Sequence, residues 1–331
     1  MKRYRILAAA VVMQMCLGGT YAWSGFLLPL KQNLGILQGT AQLPFSLFYF
    51  AFPATMIGTG TLLPRIGPRR CAVTGGVLFG GGWLLASLGG HDFAFTVLGI
   101  GLLAGIGVGF AYIVPIATCV RWFPRQKGLV TGIAVAGFGG GAALVSQVAG
   151  RLMTHMAMTP FEAFRVLGLA FLLLVTFAGV FMENPAPVRT ATGGRHPIGG
   201  VLKQRAFVSL YLAMMVGLAA GFAVNANMKE LFQGASVQAG VSAVALFALA
   251  NAAGRITWGW IFDRSRSLVA LKANLLLQAV LLIANALVLK TEAGLALFAV
   301  LAGFNYGGIL VLYASAAAET WGSERLSQVY G

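Results

Sequence analysis

Apolar runs of about 20 residues recur along this 331-residue chain, the length a helix needs to cross roughly 30 Å of hydrocarbon. No water is present at that depth, so each run must satisfy its own backbone N–H and C=O groups, which a helix does and an open strand does not. The expected fold is therefore all-α, a polytopic membrane protein. Only 9% of residues are charged, against about 25% in a soluble domain. The net charge of +15 would suggest nucleic acid as a partner in a soluble protein. Here the charge lies in short loops between the runs, and the expected partner is the lipid bilayer, with no nucleic acid.

The runs place ten spans, at 6–30, 41–63, 71–89, 93–120, 129–153, 161–182, 206–228, 237–262, 268–289 and 293–316. Lys2, Arg3 and Arg5 before the first run mimic a signal peptide, but the run is long and no small-x-small site precedes Trp23, so it counts as a span. Residues 183–205 form the longest polar stretch, with Pro185, Pro187 and Pro197. Assigning basic residues to alternate sides puts Lys2, Arg3, Arg5, Arg65, Arg69, Arg70, Arg121, Arg125, Lys127, Arg189, Arg195, Lys203, Arg205, Arg264, Arg266, Lys272 and Arg325 together. Those seventeen face five, Lys31, Arg151, Arg165, Lys229 and Lys290. The excess places the N-terminus in the cytoplasm, and the expected location is the cell inner membrane.

Sliding the chain against itself by 199 residues pairs Gly18 with Gly217, Gly60 with Gly259, Arg65 with Arg264, Gly109 with Gly308, Trp122 with Trp321 and Gly132 with Gly331. The first four spans fall on the seventh to tenth. A duplicated unit with an even number of helices gives parallel repeats, as in major facilitator halves. The expected organisation is a six-helix N-terminal half at 1–183, a cytoplasmic linker at 184–205, and a C-terminal half at 206–331 holding helices 7–10. By that register about ten of twelve helices are present, and helices 11 and 12 are expected beyond residue 331.

The loop after the second span reads Gly60-Thr61-Leu62-Leu63-Pro64-Arg65-Ile66-Gly67-Pro68-Arg69-Arg70, and that after the eighth reads Gly259-Trp260-Ile261-Phe262-Asp263-Arg264. Both resemble the G-x-x-x-D-R-x-G-R-R loop of the major facilitator superfamily. An acid at that position can sit against the positive end of a helix while the arginines bind carboxylates. Pro64 stands where the first copy should carry its acid, and Asp263 is expected to lack its partner because helices 11 and 12 are absent.

Further segments resemble the oxalate:formate antiporter family: Tyr21-Ala22-Trp23-Ser24, Gly107-Val108-Gly109 with Tyr112, Arg121-Trp122-Phe123-Pro124 with Lys127-Gly128, and Asn251 to Arg255 with Trp258-Gly259. The resemblance implies a carrier of small carboxylate anions in which the helix-8 arginine works with a lysine on helix 11, a helix this chain does not contain. Where the family's oxalate carrier is expected to show glutamine, tyrosine, tryptophan and tyrosine, this chain has Thr20, Phe138, Tyr306 and Leu310. Fewer hydrogen-bond donors favour a monocarboxylate, or a bulkier acid, over oxalate.

Arg255 carries the argument independently of that resemblance. It lies about 12 Å up its helix from Asp263, and an arginine in mid-membrane costs at least about 2.5 kcal/mol and marks a substrate or ion site by default. Its planar fork matches a carboxylate in bidentate geometry. Snorkelling toward the cytoplasm or pairing with carbonyls is the competing account. Thr20, Tyr21, Tyr112, Phe138, Asn305 and Tyr306 are the expected further substrate-binding residues, and Gly60, Arg65, Gly67, Arg69, Gly259, Asp263 and Arg264 the gating loops. Glycines at four-residue spacing (Gly101, Gly105, Gly109; Gly128, Gly132, Gly140) read as helix-packing surfaces.

The expected function is secondary transport of small monocarboxylates or dicarboxylates (formate-, lactate- or oxalate-like) by alternating access, in a monomer that uses no cofactor or metal. Exchange is the simplest coupling, because no carboxylate lies mid-span. A proton-coupled monocarboxylate symporter and an inactive truncated transporter remain alternatives. A membrane enzyme is least supported: His91, His155 and His196 lie in loops or at helix ends, and Cys16, Cys71 and Cys119 lie inside apolar runs without ligand spacing.

Overall fold

The computed structural model describes residues 2–185, 198–228, 231, 234 and 236–330. Ten helices in it are long and apolar enough to cross a membrane: α1 Lys2–Leu34, α2 Gln38–Ile66, α3 Pro68–Gly90, α4 Phe93–Trp122, α5 Lys127–Thr154, α6 Pro160–Val180, α7 Arg205–Asn225, α8 Gln238–Arg264, α9 Ser267–Val288 and α10 Glu292–Thr320. No strand occurs among the described residues. Most helices overrun the apolar runs at their ends. Hydropathy marks where lipid begins, whereas a helix continues as long as its i to i−4 bonds are made. Of the expected linker at 184–205, residues 186–197 lie outside the described residues, as do Lys229 and Gly331.

Local chemistry sets several helix starts. Thr159 and Glu162 form a reciprocal capping box at the head of α6, with Pro160 in the first turn. Asp92, Ser236 and Thr291 cap α4, α8 and α10 with side-chain oxygens. Helix α1 is tightened into a 3-10 segment over Gly18–Trp23. There its backbone meets α5, for a Cβ on Gly18 would overlap the carbonyl of Phe138, and one on Gly141 the carbonyl of Met15.

The chain forms two compact units. The first comprises Met1–Trp122, Gly137–Ala186 and Ser323–Gly331. Its core is aromatic: Trp23 stacks on Phe164 at 6.1 Å between centroids, Phe26 lies 4.9 Å from Phe164, and Trp83 meets Phe171 edge-on at 5.2 Å. Such pairs add about 0.5–1.5 kcal/mol each beyond area burial. The second unit comprises Phe123–Ala136 and Pro187–Gly322. Phe247, Leu281, Leu295 and Phe298 centre its core, and α8 and α10 touch backbone to backbone where Gly254 meets the Phe304 carbonyl and Gly303 meets that of Phe247.

The outer faces are apolar as well. Ile283 is 81% exposed and Leu287 74%, a surface that suits hydrocarbon and not water. Among the glycines expected to pack, Gly101, Gly105 and Gly109 receive Leu47, Ala51 and Thr55 of α2, and Gly128 and Gly132 meet α8. Gly140 is a correction: nothing lies within 4 Å of the place its Cβ would take. Replacing Gly18 with Ala should therefore cost about 1–3 kcal/mol through overpacking and lower the melting temperature in detergent. Gly25→Ala, whose Cβ would meet nothing within 4 Å, should leave it unchanged or raise it.

Candidate functional site

In the second unit, the Arg255 side chain lies back along α8 toward the helix N-terminus. Its Nε donates to Oδ1 of Asn251, one turn earlier, at 3.0 Å, and Nη1 donates to the carbonyl of Val135 on α5. Arg255 is nine residues from the C-terminal end of α8 and seventeen from the N-terminal end, so the head group turns away from the nearer helix end. That direction follows from the tilt of helical side chains and is opposite to what snorkelling requires. Arg255 and Asn251 are each only 8% exposed. Among the described residues, no carboxylate lies within ion-pairing distance of Arg255. The guanidinium is thus buried, hydrogen-bonded by neutral groups and electrically uncompensated.

Toward the C-terminal end of α8, Gly259 and Asp263 close on the head of α5. Asp263 accepts from the backbone N–H groups of Gly128 at 2.8 Å and Leu129 at 2.7 Å. These are among the first amides of α5, which have no partner within their own helix, and their positive end favours an anion. The expectation that Asp263 lacks a partner is corrected: the head of α5 supplies it, 134 residues away in sequence. Close approach is possible because Gly259 and Gly128 face each other, each without room for a Cβ, and Gly132 lies against the carbonyl of Arg255. Arg264 rests on the Trp260 ring, 4.1 Å from its centroid.

The first-copy loop is built differently. In the first unit, the carbonyl of Gly60 accepts from the Ser327 hydroxyl at 3.2 Å, at the start of a short helix, Leu326–Tyr330. Gly67, at φ +84°, turns the chain from α2 into α3. Arg65 is exposed, and Arg69 stands 3.9 Å from Glu183. Glu183 also pairs with Lys2 at 2.7 Å, and its carbonyl accepts from the Trp122 indole at 2.7 Å.

The remaining expected substrate residues separate by unit. In the first, Tyr21 and Tyr112 both lie edge-on to Phe138, at 5.2 and 5.3 Å. Tyr21 is 38% exposed. The Thr20 hydroxyl is spent on its own helix, donating to the Leu17 carbonyl at 3.0 Å. The array also takes in Tyr49, 6.0 Å from Tyr21, and Phe52, 5.3 Å from Tyr112. Sequence reasoning missed both, although Phe45, Tyr49 and Phe52 repeat at helical spacing along α2. In the second unit, Asn305 accepts from the Asn274 amide at 2.9 Å. Tyr306 packs on Phe222 and Phe247 at 5.8 and 5.9 Å. The two line a cavity of about 20 Å³ with Gln278, room for about one water molecule and too little for a carboxylate. Among the described residues, no group of three or more His, Cys, Asp or Glu side chains is placed to hold a metal ion.

The Major Facilitator Superfamily profile matches residues 10–331. The chain belongs to this superfamily. It is 25% identical over 337 residues to the oxalate:formate antiporter of Oxalobacter formigenes, covering 99% of this chain and 79% of that protein. It is 26% identical to apicoplast pyruvate carrier 1 of Toxoplasma gondii, covering 82% of this chain and 62% of that one. The crystal structure of the Escherichia coli fucose:proton symporter FucP matches 98% of this chain and 88% of its own at TM-score 0.71. At 15% identity that likeness speaks to the fold. As a superfamily member the chain is a multi-pass membrane transporter.

The Asp263 contact yields a stability test. Asp263→Ala leaves two helix-end amides unpaired, an expected loss of about 1–3 kcal/mol, read as a lower melting temperature in detergent. Asp263→Asn keeps one acceptor oxygen and should lose less.

Proposed function

We propose that the protein carries small organic anions bearing a carboxylate, by alternating access and in exchange mode, with Arg255 as the anion-binding group. The supporting observation is the uncompensated guanidinium of Arg255, buried in mid-helix and held only by an amide and a carbonyl. An arginine in that setting is retained at a cost of at least about 2.5 kcal/mol, and a bidentate carboxylate supplies the charge it lacks. The sequence relatives named for oxalate, formate and pyruvate support the same substrate class. Exchange is favoured over proton symport because, among the described residues, no Asp or Glu sits in the middle of a span.

Tyr21, Tyr112, Phe138, Asn305 and Tyr306 are the further residues proposed to contact substrate, each within its own unit. Thr20 is the weakest member of the set, its hydroxyl being already bonded. The proposed organisation keeps the six-helix half at 1–183, the linker at 184–205 and the second half from 206, in a monomer with its N-terminus on the cytoplasmic side of an inner membrane.

Two measurements test this. Vesicle uptake of radiolabelled formate, pyruvate or oxalate should fall at least tenfold in Arg255→Ala and in Arg255→Lys, and unchanged uptake in both would sink the reading. In intact cells, a cysteine at Lys2 on a background lacking Cys16, Cys71 and Cys119 should resist a membrane-impermeant thiol reagent, and one at Lys290 should react. The reverse pattern overturns the sidedness.

A further inference from the structure

Resting on the reading of Arg255 as the carboxylate-binding group, we propose that Asn251 is a positioning residue that fixes which edge of the guanidinium an anion takes. A guanidinium carries five N–H donors and offers a carboxylate two bidentate edges, Nε with Nη2 or Nη1 with Nη2. In the second unit Nε is committed to Asn251 Oδ1 at 3.0 Å, which closes the first edge. Nη1 spends one N–H on the Val135 carbonyl, and Nη2 makes no hydrogen bond among the described residues. The donors left for an anion are therefore those of Nη2 and the second N–H of Nη1, at the tip of the side chain.

Asn251 is itself held. The two residues lie one turn apart on the same face of α8, where i and i+4 side chains meet, and α10 lies against Asn251 so closely that a Cβ on Gly307 would overlap its carbonyl. The chemistry of the amide matters as much as its place. Asn supplies an acceptor without charge, so it orients the guanidinium and leaves it cationic. An aspartate there would make the same bond through the same oxygen but would neutralise the cation that the anion needs. Positioning by a neutral acceptor leaves the full charge for the substrate.

The test uses the whole protein in proteoliposomes, with radiolabelled formate and pyruvate as probes. Asn251→Ala should raise KM about tenfold with maximal rate within about twofold. Asn251→Asp should reduce uptake to below about a tenth while melting at or above the parent temperature. An unchanged KM in Asn251→Ala, or parental uptake in Asn251→Asp, overturns the proposal. If Asn251→Ala does not fold, Asn251→Ser, whose shorter side chain withdraws the acceptor from Nε, carries the KM test in its place, with the same two outcomes. Arg255→Lys separates the two levels. Lost uptake there with an unshifted KM in Asn251→Ala defeats only the positioning role, whereas retained uptake defeats the anion site and the positioning role with it.

Discussion

The absence of water across about 30 Å of bilayer governs this molecule. It makes every span a helix, and it drives charge to the helix ends, where Arg121, Lys127, Arg151 and Arg264 all lie. Polar side chains left inside must find partners in protein. Gln14 donates to the Tyr112 carbonyl at 3.1 Å, Asn274 to Asn305, and Gln278 to the Gly217 carbonyl at 2.9 Å. Arg255 obeys the hydrogen-bonding half of that rule and breaks the charge half. Its Nε and Nη1 are hydrogen-bonded and its charge is unpaired among the described residues, which sets it apart from the other buried polar residues.

Close helix contact in each unit comes from glycine and from what caps the neighbouring helix. At the α8–α5 contact, Gly259 meets Gly128 and a carboxylate closes the helix head. The corresponding contact in the first unit, 199 residues earlier and later in register, sets Gly60 against Ser327. Pro64, at the place equivalent to Asp263, has no side-chain acceptor, so a single hydroxyl-to-carbonyl bond takes the place of two charge-assisted ones. By the usual magnitudes a charged acceptor is worth about twice a neutral one. The two loops thus share a close backbone approach at Gly60 and at Gly259 while their chemistry differs.

Most of the fold could be read from the sequence because the physics that sets it is local. Apolar length gives the spans, and capping residues such as Thr159 and Glu162 mark a start within four positions. The partners of Asp263 and Arg255 could not be read so, since they lie 134 and 120 residues away on α5 and no periodicity encodes a contact of that range. The Asn251 contact was within reach, an acceptor one turn before an arginine. Tyr49 and Phe52 were hidden by an apolar run that reads as lipid-facing whichever way its rings turn. Thr20 shows the opposite error: a hydroxyl in the right place whose bond the helix had already claimed.

The neutral surroundings of Arg255 have an electrical consequence. With a monocarboxylate bound, the site would carry no net charge, and without one it would carry one positive charge. A membrane potential acts on a moving charge at about 2.3 kcal/mol per 100 mV, so voltage would act on the unloaded site and be nearly indifferent to the loaded one. A bare guanidinium is also the costlier species to carry through hydrocarbon. A carrier so built would move most readily with its site filled in both directions, and the voltage across the membrane would bear mainly on any return journey made empty.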